Sequence, residues 1–117
     1  PLPLPWPRRL ARGFNQTELL AWPLARQFDR PCPRALTRRF FAPRQTGHGR
    51  AARALAAHFR VPDAGAVAGR SILLVDDVLT TGATVRGASA ALRRAGARRI
   101  EVAVIGWTPL EAPPQAN

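Results

Sequence analysis

The chain has 117 residues, 46% of them hydrophobic, which is enough for one domain with a buried core. It has no apolar run near the roughly 20 residues of a membrane-spanning helix, no predicted signal peptide, and a single cysteine, Cys32, which rules out an internal disulfide and a cysteine-based metal site. The formal net charge is +11, with 18 arginines against 7 acidic residues. We therefore expect phosphate-bearing partners, no membrane insertion and a cytoplasmic location.

The N-terminal part of the chain predicts one helix. Residues 1–7 are too rich in proline for a central strand but fit the tail of an edge or first strand, and residues 8–16 have the basic, glycine-containing composition of a loop. Asn15 is a predicted N-cap with Glu18 as its capping-box partner, so a helix should follow. Pro23 falls inside that helix and should cost it ~3 kcal/mol unless the helix kinks or restarts there.

The middle of the chain has weaker patterns. A loop with a short strand is predicted around residues 35–36, and a mobile surface loop over residues 40–49. The alanine-rich residues 50–59 predict a short helix, and residues 62–69 a turn region.

The C-terminal half predicts a strand, a helix and a second strand. Residues 71–75 are apolar in the manner of a buried strand, and residues 100–105 are similar. Residues 84–95 between them are amphipathic and are followed by Gly96, a typical helix stop. Connections this short predict a right-handed crossover between parallel strands.

These elements predict an α/β fold, an open and mostly parallel sheet flanked by helices. The domain should cover residues 1–108, and the proline-rich residues 109–117 should form a disordered tail.

The segment ILLVDDVLTTGAT, residues 72–84, predicts an anion site. Its last part lies just before a helix, whose first N–H groups and positive dipole end attract anions. Three threonine hydroxyls are added there, and a glycine lets the backbone approach a ligand closely. The predicted phosphate-binding residues are Thr80, Thr81, Gly82, Ala83 and Thr84.

Asp76 and Asp77 stand at the carboxyl end of the strand predicted over residues 71–75, where ligands bind in open α/β sheets. Two carboxylates repel a phosphate, so they suit neutral hydroxyls or a divalent cation. Because successive strand side chains point to opposite faces, one acid can face the ligand while the other meets Mg²⁺, water or an arginine. Helix capping by Asp77 or Thr80, with a solvated Asp76, is the alternative interpretation. A phosphate site beside paired carboxylates fits a sugar phosphate with a vicinal diol.

The same thirteen residues resemble the phosphoribosyl-pyrophosphate (PRPP) motif of type I phosphoribosyltransferases. Within that superfamily, PRRLARGFNQTELL, residues 7–20, resembles the ComF-type, competence-associated branch. The resemblance extends over about residues 2–107. It implies displacement of pyrophosphate from the anomeric carbon of PRPP by an unidentified acceptor, with Mg²⁺ as cofactor and no nucleophilic side chain.

The resemblance also implies roles for single residues. Asp76 and Asp77 would take the ribose hydroxyls and, directly or through water, Mg²⁺, while residues 80–84 would bind the 5-phosphate. Arg12 and Gly13 would meet the pyrophosphate. A flexible loop over residues 39–50 would close over the reacting centre, with Arg44, Gln45 and Thr46 as its candidate residues.

Members of the branch usually begin with a cysteine-rich zinc module, whereas this chain begins at the first strand. We therefore expect it to be truncated at the N-terminus, with much of the acceptor-selecting part missing. Two other functions stay open. One is a non-catalytic factor of natural transformation that binds single-stranded DNA through its arginines beside a helicase-like partner. The other is a nucleotide-sensing regulator that retains the PRPP site.

Overall fold

The computed structural model describes residues 1–4, 13–39 and 58–108. The helices and strands within these ranges are α1 (Gln16–Gln27), β1 (Thr37–Arg38), β2 (Phe59–Arg60), β3 (Ser71–Leu79), α2 (Ala83–Arg94) and β4 (Arg99–Trp107). A 3₁₀ turn spans Ala64–Ala66. The predicted tail, residues 109–117, and the predicted loop, residues 40–49, lie outside the described residues.

Strands β3 and β4 form a parallel pair that is connected through α2, as the sequence predicts. Ser71 lies opposite Arg99 and Leu79 opposite Trp107, so the register is constant along the pair. The N-terminal residues lie beside β3, because the Leu2 N–H donates to the Val75 carbonyl at 2.9 Å. This arrangement confirms the α/β class with a parallel sheet and flanking helices.

Strands β1 and β2 form a short antiparallel ribbon, with Thr37 opposite Arg60 and Arg38 opposite Phe59. The strand predicted around residues 35–36 therefore begins slightly later in the chain, and Leu36 is instead a buried core residue. The helix predicted over residues 50–59 lies mostly outside the described residues. Its last residue, Phe59, belongs to β2.

Helix α1 begins as predicted at Asn15. The Asn15 Oδ1 accepts hydrogen bonds from the Thr17 N–H at 3.2 Å and the Thr17 hydroxyl at 2.8 Å, and its Nδ2 donates to the Leu2 carbonyl. Glu18 is not part of a capping box, because its carboxylate forms a 2.8 Å ion pair with Arg34. The helix continues past Pro23 to Gln27. Pro23 is exposed, so the backbone carbonyl that it leaves without a donor lies on the solvent side of the helix.

The core lies between α2 and the sheet, with contributions from both halves of the chain. Its buried residues are Leu2, Leu36, Phe59, Val67, Leu74, Ala88, Ala91 and Leu92. Gly96, with φ of 91°, ends α2 as predicted, and its N–H donates to the Arg93 carbonyl at 2.9 Å. No helix in the described part of the chain is long and apolar enough to cross a membrane.

Candidate functional site

The candidate site is built at the C-terminal end of β3. Asp76 and Asp77 lie inside this strand rather than after it, because β4 provides main-chain partners as far as Trp107. Asp76 lies opposite Val104 and Val78 opposite Gly106. The strand then ends at Leu79, whose carbonyl accepts from the Thr108 N–H at 3.0 Å. Both acids are therefore held on a paired strand, which restricts their backbone more than a loop would.

Each of the two carboxylates accepts a hydrogen bond from the backbone N–H of the residue that follows it. The Asp76 Oδ1 accepts from the Asp77 N–H at 2.9 Å, and the Asp77 Oδ1 accepts from the Val78 N–H at 2.8 Å. Asp76 is only 9% exposed, yet no fully buried side-chain N or O atom in the described ranges lacks a hydrogen-bond partner. Asp77 is half-buried, so the acid pair is partly exposed to solvent.

Burial raises the pKa of the Asp76 carboxyl above its ordinary value. The hydrogen bond from the Asp77 N–H lowers this pKa, the Asp77 carboxyl raises it by hydrogen bonding and charge repulsion, and the charge of Arg38 lowers it; the net change is upward. The protein itself therefore compensates the ionised Asp76 carboxylate only in part. Hydroxyl donors or a cation from a ligand would favour its ionised form.

The donor set of this pair fits Mg²⁺, which binds oxygen atoms and is often held by one or two carboxylates together with substrate phosphates. Within the described ranges, no group of three or more His, Cys, Asp or Glu residues could hold a metal ion. Asp76 and Asp77 therefore suit a cation that arrives with an oxygen-rich ligand better than one held by protein alone.

The turn after β3 presents backbone donors at the start of α2. Gly82 is the N-cap residue, has φ of 75°, and provides no side-chain cap. The Ala83 N–H donates to the Thr81 Oγ1 at 3.3 Å. The N–H groups of Gly82, Thr84 and Val85 have no acceptor in the part of the chain that the structure describes. We call residues 80–85 the amide cradle; its free donors at a helix N-terminus suit an anion.

The hydroxyl side of the amide cradle is accessible. Thr80 and Thr81 are exposed, and Gly82, Ala83 and Thr84 are half-buried. Val78 and Leu79 are the only residues between the acid pair and the cradle, so both groups lie at the same end of the sheet.

The remaining site predictions are not tested by the described structure. Gly13 is exposed with φ of 71°, and nothing lies within 4 Å of the position that a Cβ would take. Arg12, Arg44, Gln45 and Thr46 lie outside the described residues. The pyrophosphate and flexible-loop assignments therefore stay predictions.

Two arginines near the site were missed from the sequence. The positive charge of Arg38, on β1, acts on the Asp76 carboxyl; this pairing depends on the tertiary fold and has no local signal. The Arg86 Nη1 donates to the Thr81 carbonyl at 3.0 Å. Arg86 lies one helical turn after Gly82, a spacing that could have identified it.

A family model described as Phosphoribosyl transferase domain matches residues 17–109, most of the chain. The matched range includes the acid pair and the amide cradle and begins after Gly13. No curated protein and no solved structure matches this chain.

Proposed function

The chain belongs to the phosphoribosyl transferase domain family, and we propose that it binds PRPP or a related sugar phosphate with Mg²⁺ and transfers the phosphoribosyl group to an acceptor. One observation carries the proposal. A carboxylate pair and a set of backbone amides without acceptors lie at the same end of β3, separated by two residues. A phosphorylated pentose offers the complementary groups, an anion for the amides and a diol for the acids.

In this proposal, the amide cradle binds the 5-phosphate of the ligand. The N–H groups of Gly82, Thr84 and Val85 donate to phosphate oxygens, and the hydroxyls of Thr80 and Thr84 add further donors. Since these donors are fixed by the start of α2, they need little rearrangement when the anion binds. The cradle therefore sets the position of the sugar.

Asp76 and Asp77 orient the ribose by accepting hydrogen bonds from its hydroxyls. Their carboxylates would also hold Mg²⁺, which when bound supplies positive charge to the leaving pyrophosphate. In the reaction, the anomeric C–O bond to pyrophosphate breaks, pyrophosphate leaves with the electron pair, and the acceptor forms the new bond to that carbon. The protein contributes by positioning the sugar and by stabilising charge, so no side-chain nucleophile is needed.

Assignment to the ComF branch is part of the same proposal. It is supported by the likeness of residues 7–20, in which Asn15 starts α1. The pyrophosphate roles of Arg12 and Gly13 and the loop roles of Arg44, Gln45 and Thr46 belong to this proposal as well.

The direct test is isothermal titration of the protein with PRPP in the presence and absence of Mg²⁺. Wild-type protein should bind PRPP with Mg²⁺, and the double variant Asp76→Asn/Asp77→Asn should lose that binding. Asp63→Asn is the control, because it removes an acidic charge elsewhere in the chain while its amide oxygen can still accept from the Gly65 N–H. Absence of PRPP binding by the wild type, or unchanged binding by the double variant, would refute the proposal.

Pyrophosphate release then separates catalysis from binding alone. If PRPP is bound and pyrophosphate appears when candidate bases are supplied, the protein is a transferase. Binding without release for every acceptor would favour the nucleotide-sensing regulator.

Single-stranded DNA is a second candidate ligand, favoured by the formal net charge of +11. Binding of a labelled oligonucleotide should weaken steeply with salt and survive Asp76→Asn/Asp77→Asn. A helicase-like partner in natural transformation belongs to this second candidate. Salt-insensitive or undetectable oligonucleotide binding would exclude it.

A further inference from the structure

Arg86 has a particular relation to the amide cradle. It lies in the first turn of α2, and its Nη1 donates to the carbonyl of Thr81 at 3.0 Å. The same Nη1 would lie 2.9 Å from a Cβ placed on Gly82. The guanidinium group therefore lies against the side of Gly82 on which any other residue would carry its side chain.

This contact fixes the orientation of one peptide unit. The carbonyl of Thr81 and the N–H of Gly82 belong to the same planar trans peptide, in which the two groups point in opposite directions. Because Arg86 holds the carbonyl on its own side, the Gly82 N–H is directed away from the guanidinium. That N–H is one of the donors without an acceptor in the described structure.

The alternative orientation of this peptide would be unfavourable for an anion. A flipped peptide would direct the Thr81 carbonyl oxygen, a negative partial charge, toward the cradle and remove the Gly82 donor from it. Glycine at position 82 makes such a flip sterically accessible. A side chain that holds the carbonyl would therefore have a direct effect on anion affinity.

We propose that Arg86 is a positioning residue of the amide cradle, which holds the Thr81 carbonyl so that the Gly82 N–H faces the bound phosphate. The inference rests on the proposed function, because it assumes that the cradle binds a phosphate monoester. It adds a residue outside the amide cradle to the phosphate site. Arg86 acts there by orienting the Gly82 N–H, with no direct contact to the phosphate.

The test compares two arginines on the same helix. Arg86→Ala removes the contact, whereas Arg93→Ala removes an equal charge from an exposed position in the last turn of α2. With ribose 5-phosphate as the probe, Arg86→Ala should weaken binding about tenfold, the effect expected for losing one oriented donor to a charged group. Arg93→Ala should change it less than about twofold, since a distant exposed charge is screened. Circular dichroism checks that both variants retain their helices.

Amide NMR gives a readout that a purely structural role would not affect. In the wild type, titration with ribose 5-phosphate should shift the Gly82, Thr84 and Val85 amide resonances. In Arg86→Ala, the Gly82 shift should be lost selectively, and low-millimolar guanidinium should partly restore both the shift and the affinity. Arg86→Lys, which keeps the charge, should bind more weakly than wild type if carbonyl orientation matters.

The outcomes separate the two proposals. If wild-type protein binds ribose 5-phosphate but Arg86→Ala matches Arg93→Ala, or keeps the Gly82 shift, the role of Arg86 is refuted and the proposed function stands. If the wild type does not bind the probe and its cradle amides do not shift, both proposals are refuted.

Discussion

Replacement of Gly82 by alanine tests the local geometry of the amide cradle through stability alone. Gly82 has φ of 75°, and its added Cβ would lie 2.9 Å from the Arg86 Nη1. Gly69 is a matched control, because it has φ of 71° and nothing within 4 Å of the Cβ position. The two substitutions therefore impose the same left-handed backbone cost but differ in the contact with Arg86.

The expected magnitudes follow from this difference. A residue with a Cβ costs about 1–2 kcal/mol in the left-handed region, so Gly69→Ala should lower the free energy of unfolding by about that amount. Gly82→Ala should cost about 1 kcal/mol more, because the flexible guanidinium must move and its hydrogen bond to Thr81 is lost. The entropy that alanine removes from the unfolded chain is the same at both sites and cancels.

Urea denaturation followed by far-ultraviolet circular dichroism measures these values. The extra cost of Gly82→Ala should disappear in an Arg86→Ala background, where nothing remains for the Cβ to displace. Equal costs for Gly69→Ala and Gly82→Ala in the wild-type background would refute the reasoning. So would an extra cost that persists without Arg86.

Three further predictions concern the acid pair, the core and the first helix. The pKa of Asp76 is raised in the folded state, so the stability that this group contributes is fully present below its unfolded pKa and is lost as pH rises through the folded pKa. Asp76→Asn should therefore resist urea better than wild type at pH 7 but not at about pH 3. A variant that is less stable than wild type at pH 7 would contradict this. Leu92→Ala should lower the free energy of unfolding by about 2–5 kcal/mol, since Leu92 is 1% exposed, and a loss under 1 kcal/mol in urea denaturation would show a poorly packed site. Asn15→Ala should cost at least about 1–2 kcal/mol, because it removes the cap to Thr17 and also the hydrogen bond to the Leu2 carbonyl; a loss below about 0.5 kcal/mol on thermal unfolding would show that the cap is unimportant.

The part of the site that the sequence predicts well is local in the chain. The turn after β3, the helix that follows it and the helix stop at Gly96 each depend on neighbouring residues. The structure forms all three, with the helix beginning at Ala83 rather than at Thr84. The sequence also predicts the parallel pairing of β3 and β4, because short connections through one helix leave few ways to pair these strands.

The parts that could not be predicted depend on distant residues. Asn15 and Glu18 form the sequence pattern of a capping box, but Arg34, much later in the chain, pairs with Glu18 instead. Asp76 and Asp77 indicate the end of a strand from their low strand preference. Pairing with β4 overrides this preference and extends β3 to Leu79. The effect of Arg38 on Asp76 likewise depends on where β1 lies.

The acid pair needs donors or positive charge, whereas the amide cradle needs an acceptor. This difference favours one ligand that supplies both over two separate ligands. Burial and the neighbouring Asp77 carboxyl disfavour the ionised form of Asp76, while the amide cradle presents donors without acceptors. A phosphate alone would satisfy the cradle but would lie near uncompensated carboxylates, and a cation alone would find two protein ligands instead of a full set. A ligand that carries a phosphate, a diol and a bound cation satisfies both halves together, so on the proposed function each part should improve the binding of the other.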